Sequence, residues 1–513
     1  MRIGLDVGGT HTDAVLMDGQ RVVAHTKAIT TADVGSGIET ALATILSGVS
    51  PTDVKLLTIG TTQFTNAVVE RKHLSTVAAV RVCLPAGRGL LPRADWPEDL
   101  VRATDGGNYL IHGGHLYDGR ELAPVNEAEL DELLQTLAST KPSAVVISCA
   151  FSPSQPGLEL RLAAQIAEAL PASRVIASHT MGGLGLIERE NASILNAALL
   201  NFADHVASAL VASSARLGLR CPVYVSQNDG TLIDLERVRQ YPALTFASGP
   251  TNSLRGAWAL TGLSDALVID VGGTTSDIGV LKNGFPRQSN LVIDVGGART
   301  NFRMPDVLAI GLGGGSEIGK GGVSCGPQSV ARELREKALC FGGEVMTLTD
   351  IAVSQGRLTM TSAAEPHPVD AEVCTAVDRL VLEKLNAAVD LMKPGGAILP
   401  VVLVGGGAPL IPGETLADCP IIRPQYADVA NAIGASIAQV SGEAEGLHVL
   451  TSQSRSEMLD QLTREATERA IAAGAAEASI TTVDVEEIDI PYMANETTQI
   501  SVRVVGDLLL GAN

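Results

Sequence analysis

Short apolar runs alternate with longer amphipathic stretches along almost the whole chain, the pattern of strands alternating with helices in an α/β architecture. Residues 3–7, 14–17 and 21–27 read as three consecutive strands, and a helix follows over 34–47. A strand at 55–60 closes on the threonine-rich stretch GTTQFTNA, which opens a helix running to Lys72. Further strands are predicted at 76–82, 144–149, 174–178 and 223–226, with a helix over 187–199. The pattern then restarts: strands at 266–271, 277–282 and 291–295 repeat the opening meander. An apolar run at 397–404 ends in Gly405, Gly406 and Gly407, and a helix-prone segment begins at Ala427. After residue 445 a charged helix at 457–473 precedes strands at 479–487 and 499–505.

The restart divides the chain into lobes at 1–180 and 181–445, with a small C-terminal α/β element at 446–513. A length of 513 residues exceeds one ordinary core and agrees with two or three domains. With 45% hydrophobic and 18% charged residues the chain buries a large core, which excludes a disordered protein. The net charge of −20 argues against a nucleic-acid partner, because phosphate-backbone binding needs a basic surface. Seven cysteines, an odd number with no CxxC, read as thiols in a reducing compartment. No secretory leader and no apolar run of membrane-spanning length are visible, so a cytoplasmic location without membrane contact is expected.

Candidate chemistry sits where the two halves open. IGLDVGGTHTD and VIDVGGTTSD each carry an aspartate, a Gly-Gly-Thr turn and a second aspartate seven residues after the first. A Gly-Gly turn between apolar runs by itself needs nothing more than a β-hairpin. Two matched turns in separate halves are what a duplicated fold needs to hold a polyphosphate and its metal ion from both sides. Gly8, Gly9, Gly272 and Gly273 let backbone N–H groups approach phosphate oxygens, and Thr10, Thr12, Thr274 and Thr275 add hydroxyl donors. Asp6, Asp13, Asp270 and Asp277 repel phosphate; they make sense through Mg²⁺, with Asp6 and Asp270 reaching the ion through water, or by orienting a nucleophile. A third copy, IDVGGART at 293–300, has Ala298 and Arg299 where threonines would stand and reads as a structural turn. The glycine clusters Gly313, Gly314, Gly315 and Gly405–Gly407 let a flat group lie close to the backbone; both are candidates for cofactor binding, and the later one suits an adenosine pocket.

The ordered set DVGGTHTD, GTTQFTNAVVERK, SGPTNSLRGA, VIDVGGTTSD, GLGGGS and VGGGAPL resembles the A-subunit family of ATP-dependent hydantoinases and 5-oxoprolinases, in a short form. The resemblance runs to about residue 440. It implies duplicated ribonuclease-H-like lobes, of the actin, hexokinase and Hsp70 type, around a nucleotide cleft. It also implies ATP and Mg²⁺ as cofactors, phosphorylation of a cyclic amide or related carbonyl, and a B-type or other partner subunit. Carried onto this chain, it places Gly405, Gly406 and Gly407 at the adenosine. Thr61, Thr62, Asn66, Ser248, Gly249, Pro250 and Asn252 would face the cleft.

Lesser candidates carry less. His112, His115 and Asp118 lie in a glycine-rich loop with no further ligand, which favours a structural or substrate-contacting loop over zinc. Glu188, Asn191 and Asn196 fit a solvated or hydrogen-bonded helix face, with lining the cleft as the alternative, and Asn228-Asp229-Gly230 fits a turn at a strand end that also suits substrate contact. The leading expectation is an ATP- and Mg²⁺-dependent amidohydrolase on cyclic amides. A small-molecule kinase of the same fold and a nucleotide-driven interaction protein are the rivals, and homo-oligomerisation stays open.

Overall fold

The computed structural model describes residues 1–8, 11–29, 34–116, 119–289, 292–359, 369–396, 398–449, 454–490 and 497–510. Two nearly continuous buried runs make the opening hairpin: β1 (Arg2–Val7) pairs antiparallel with β2 (His11–Asp18), which pairs with β3 (Arg21–Ile29). β4 (Leu56–Thr61) runs parallel to β1 and is buried throughout, as a strand covered on both faces should be. The second half repeats the plan. Ala266–Val271 and Ser276–Lys282 form the hairpin, and Val401–Val404 runs parallel to its first strand. A third sheet, parallel and four-stranded, is built from Asp105–His112, Val77–Leu84, Ala144–Cys149 and Arg174–Ala177 over a core of its own.

The first sheet is larger than the sequence pattern indicates. Val223–Ser226 pairs with β4, so this sheet continues past the boundary expected at 180/181. Gln439–Val449, Thr497–Gly506 and Thr481–Asp489 then extend it to nine strands, where a separate C-terminal element was expected at 446–513. The reason is apolar: Val440, Ala444, Ile500, Val502 and Val504 pack with Leu462, Ala466 and Ala470 in one cluster with Leu56 and Leu232. The strand expected from 397 begins at Val401; Ala397 lies outside the described residues.

Leu186–Arg216 is a 31-residue helix, long and apolar enough by length and composition to cross a membrane, contrary to the expectation of no such run. Its most apolar window is 61% buried within the protein, so that apolarity serves the core. All seven cysteines are free thiols, six of them buried.

Two further helices, Ser248–Thr261 and Ala430–Ile437, meet backbone to backbone between the hairpins. A Cβ placed on Gly256 would lie 1.8 Å from the carbonyl oxygen of Ala430, and one on Gly434 would lie 1.9 Å from that of Asn252. Only glycine fits at either position. The third Gly-Gly copy forms the turn of a small hairpin, with Gly296 and Gly297 at φ +62° and +94° and the Gly297 N–H bonded to Asp294 at 2.7 Å.

Candidate active site

The seven-residue spacing of the aspartates has a direct geometric meaning. Across each hairpin the two acids fall opposite one another, Asp6 against Asp13 and Asp270 against Asp277. Directly opposed residues on antiparallel strands bring their side chains within a few ångströms, an arrangement that is destabilising for like charges. Asp6 is 6% and Asp13 4% exposed, so water screens them poorly. Burial, then the Asp13 charge, pushes Asp6 up to about 6, against hydrogen bonds from Asn252 and Asn431 that pull it down. Burial and the neighbouring Asp270 push Asp277 up to about 7. Asp270 is raised by burial and by Asp13 on the other hairpin, and Asp270 in turn acts on Asp6, so the two pairs share one electrostatic centre.

Protein groups offset part of this repulsion. Lys27, on β3, holds Asp13 at 2.6 Å. Asn431, at the start of Ala430–Ile437, donates to both Asp6 and Asp13 at 3.0 Å. The helix Ser248–Thr261 reaches both hairpins through consecutive residues: Asn252 donates to Asp6 at 3.3 Å and the Ser253 hydroxyl to Asp270 at 2.5 Å. Sequence reading found Asn252 but not Lys27 or Asn431, which no quoted motif contains, nor Ser253, which lies within SGPTNSLRGA without being singled out. Cleft glycines serve close approach: a Cβ on Gly60 would stand 2.4 Å from Asp6 Oδ1, and one on Gly405, at φ +85°, 2.2 Å from Asp270 Oδ1.

The two turns match in detail. Gly8 N–H donates to His11 O at 3.0 Å and Gly272 N–H to Thr275 O at 2.9 Å, so neither amide is free for a ligand. Gly9 and Thr10 lie outside the described residues. Thr12 is fully buried, which removes it as an open hydroxyl donor, whereas Gly273, Thr274 and Thr275 form an exposed tip. The amides of Gly313–Gly315, expected at the cofactor, are already engaged within the protein. They donate to Ser316 Oγ (2.9 Å), Gly272 O (3.0 Å) and Gly273 O (2.7 Å), so the cluster buttresses the second turn. In the later triplet the Gly405 and Gly407 amides are bonded to Ala427 O and Val271 O, while a Cβ on Gly406 would meet open space.

Thr61 and Ser248 are buried and join β4 to the helix, Ser248 Oγ donating to Thr61 O at 3.1 Å. Thr62 and Asn66 stay on the open side, Asn66 Nδ2 reaching Thr62 Oγ1 at 3.4 Å. His112 bonds Glu129 at 2.8 Å, and Asp118 lies outside the described residues. Asn191 and Asn196 are used structurally, on Arg299 O and Gln240 O, both at 2.9 Å. No group of three or more His, Cys, Asp or Glu side chains able to hold a metal occurs among the described residues. A cation at the acidic centre would therefore be held largely through water and ligand oxygens, and crowded carboxylates, with Asp6, Asp270 and Asp277 raised in proton affinity, fit a hard divalent ion.

Over 385 residues the chain is 27% identical to the caprolactamase subunit alpha of Pseudomonas jessenii, covering 70% of this chain and 54% of that protein. Over 396 residues it is 25% identical to the acetophenone carboxylase gamma subunit of Aromatoleum aromaticum, covering 69% and 53%. The chain thus spans about half the length of the curated relatives it matches. In structure it superposes on the ATP-dependent caprolactamase from Pseudomonas jessenii with TM-score 0.79 at 19% identity, covering 99% of this chain and 87% of that one. Nucleotide-free acetone carboxylase gives TM-score 0.70 at 17% identity, covering 99% and 88%. The chain shares the fold of these two structures, and the hairpin with its parallel neighbour strand occurs twice in it. Residues 2–170 match the hydantoinase/oxoprolinase N-terminal region and residues 189–389 match hydantoinase/oxoprolinase, which together take in both acidic hairpins. By these matches the chain belongs to the hydantoinase/oxoprolinase family.

Proposed function

We propose that this chain uses ATP to activate the carbonyl of a cyclic amide for hydrolysis, working with a partner subunit. The observation that carries the reading is the pair of opposed acidic hairpins joined through one helix by Asn252 and Ser253. The exposed tip Gly273–Thr275 would receive phosphate oxygens, and open space at Gly406 would receive the adenosine. Mg²⁺, held through water by Asp6 and Asp270, would supply charge neutralisation at the phosphates.

The chemistry balances as follows. The amide oxygen attacks the terminal phosphorus and ADP leaves, giving a phosphorylated imidate. Water adds to the imidate carbon, the ring C–N bond breaks to release the amine, and a second water hydrolyses the acyl phosphate. Asp277, with its pKa near 7, is suited to move a proton at neutral pH. Similarity to the acetophenone carboxylase gamma subunit favours a second reading, activation of a ketone or bicarbonate oxygen in a carboxylation.

ATP turnover measured across lactams, hydantoins and ketones, with and without a co-expressed partner, separates the two. Stimulation by cyclic amides that vanishes in Asp270→Ala is expected. A panel in which no cyclic amide stimulates turnover would sink the proposal. Lys27→Met, which leaves Asp13 without its counter-ion, is expected to lower kcat/KM for ATP by about 10–100-fold, in line with losing one charge-assisted contact. Steady-state kinetics at saturating second substrate measures this.

A further inference from the structure

The Gly313–Gly315 cluster holds a second piece of chain against the second turn. Gly315 N–H donates to Gly273 O at 2.7 Å, and Gly315 O accepts from Val330 N–H at 2.9 Å, so one residue joins the turn to the segment 329–337. A side chain at Gly315 has no room between them: a Cβ there would lie 2.8 Å from Ser329 Oγ and 3.2 Å from both Ala331 N and Gly273 O. Ala331 then turns the chain at φ +47°, a left-handed conformation unfavourable for alanine, and its N–H is held on Ser329 Oγ at 3.1 Å. Arg332 and Arg335 follow this bend directly.

Both arginines are exposed, and among the described residues neither makes a hydrogen bond or an ion pair. Nearby acids are engaged elsewhere: Glu333 pairs with Lys337 at 2.7 Å, and Glu333, Glu317 and Glu336 together strengthen the hold of Lys337 on its proton. The arginine charges are felt in the other half of the molecule. His11, whose carbonyl closes the first turn on Gly8, is pushed down by burial, by Lys27 and by Arg335. Glu70, at the end of the helix Gln63–Glu70, is pushed down by Lys72 and also by Arg332. The segment thus hangs on the second turn and reaches the first. Arg332 finds an acid there, whereas Arg335 finds His11, and Asp13 two residues on is already held by Lys27.

We propose that Arg335 binds the terminal phosphate of ATP and donates to its oxygens while the phosphoryl group is transferred. The proposal rests on the use of ATP read under Proposed function and adds to it a cation supplied by the protein. Lys27 is committed to Asp13 and is not available to neutralise a phosphate. A guanidinium offers two parallel N–H donors to two oxygens of one phosphate, and it stays charged throughout. The adenosine is expected at Gly406, in the second half, so a group felt at the first turn meets the far end of the triphosphate. Gly315 is then the residue that fixes the distance between the second turn and this arginine.

The test uses the full chain with its co-expressed partner and three variants, Arg335→Ala, Arg335→Lys and Arg332→Ala. Both positions are exposed, so melting midpoints should stay at the wild-type value. Calorimetry with Mg·ATP and with Mg·ADP reads binding apart from turnover. Arg335→Ala is expected to weaken Mg·ATP by about 10–100-fold, the worth of a charge-assisted contact, and Mg·ADP by less than about twofold. Its turnover should fall about 10³-fold, and guanidinium ion below denaturing concentration should restore part of the loss. Arg335→Lys keeps the charge without the fork and should fall between the two. Arg332→Ala should bind both nucleotides within about twofold of wild type, because its charge faces Glu70.

Unchanged Mg·ATP affinity in Arg335→Ala, equal losses for Mg·ATP and Mg·ADP, or a larger loss in Arg332→Ala overturns the assignment and leaves the proposed function standing. Loss of the partner subunit from Arg335→Ala with Mg·ATP binding intact also overturns it, in favour of a surface for an acidic partner. Mg·ATP binding that is lost in Arg335→Ala, in a protein whose turnover responds to no cyclic amide, supports Arg335 and overturns that function. Failure of the wild-type protein to bind Mg·ATP overturns both.

Discussion

Asp277→Asn is expected to make the protein more stable and nearly inactive at once. In the folded chain, burial and Asp270 hold Asp277 near 7, above the 3.8 of an ordinary aspartate. Its charged form is therefore penalised by folding. The sign follows from proton binding: between about pH 4 and 7 the native state holds the proton and the unfolded state does not, so wild-type stability falls as pH rises through that window. Above pH 7 the loss is complete. A neutral asparagine escapes it, and the gain at pH 8 should be about 2 kcal/mol, less than the full shift implies because the site relaxes. The gain should shrink as pH falls from 7 towards 4. Turnover should fall about 10³-fold at pH 8, the cost of losing one charge from the reacting centre, and the deficit should narrow as pH falls below 7. Wild-type turnover should itself lose activity below about pH 7 as the carboxylate takes its proton. Denaturant melts at several pH values, set beside initial rates, test the pairing. A destabilised variant, or one retaining most activity, refutes it.

Gly256→Ala is the second large effect, and it runs against helix propensity. An alanine inside the helix Ser248–Thr261 would ordinarily add about 1 kcal/mol of stability. The facing backbone decides otherwise, since the new Cβ would meet Ala430 O at 1.8 Å. Neither helix can yield locally, because the obstacle is main chain on both sides, so the cost should be about 3 kcal/mol or more. Asn252 and Asn431 flank this crossing and would both move off Asp6, so ATP turnover should fall with stability. Gly157→Ala serves as the control: its Cβ would meet nothing within 4 Å, and its melting midpoint should not fall. Equal midpoints for the two variants would show that the crossing is looser than the backbone contact requires.

Why some of this was readable from sequence and some was not has a physical basis. The acidic hairpins were legible because strand, turn and both aspartates lie within a dozen residues, so period and Gly-Gly spacing fix their geometry locally. Lys27, Ser253 and Asn431 were not, because each reaches an acid through tertiary packing; Asn431 and Asp6 are 425 positions apart. The strands after residue 445 announced themselves by alternation, but alternation does not say which sheet a strand joins. The Gly313–Gly315 amides carry a similar lesson. Composition shows that a backbone can be approached closely, not that another loop has already done so.

Asn252 and Ser253 are neighbours on one helix, and each is tied to the acids of a different lobe. Consecutive helical residues differ by a rise of about 1.5 Å and a turn of about 100°, values the helix itself maintains. The separation of the two acidic half-sites is therefore set by a rigid element that belongs to both.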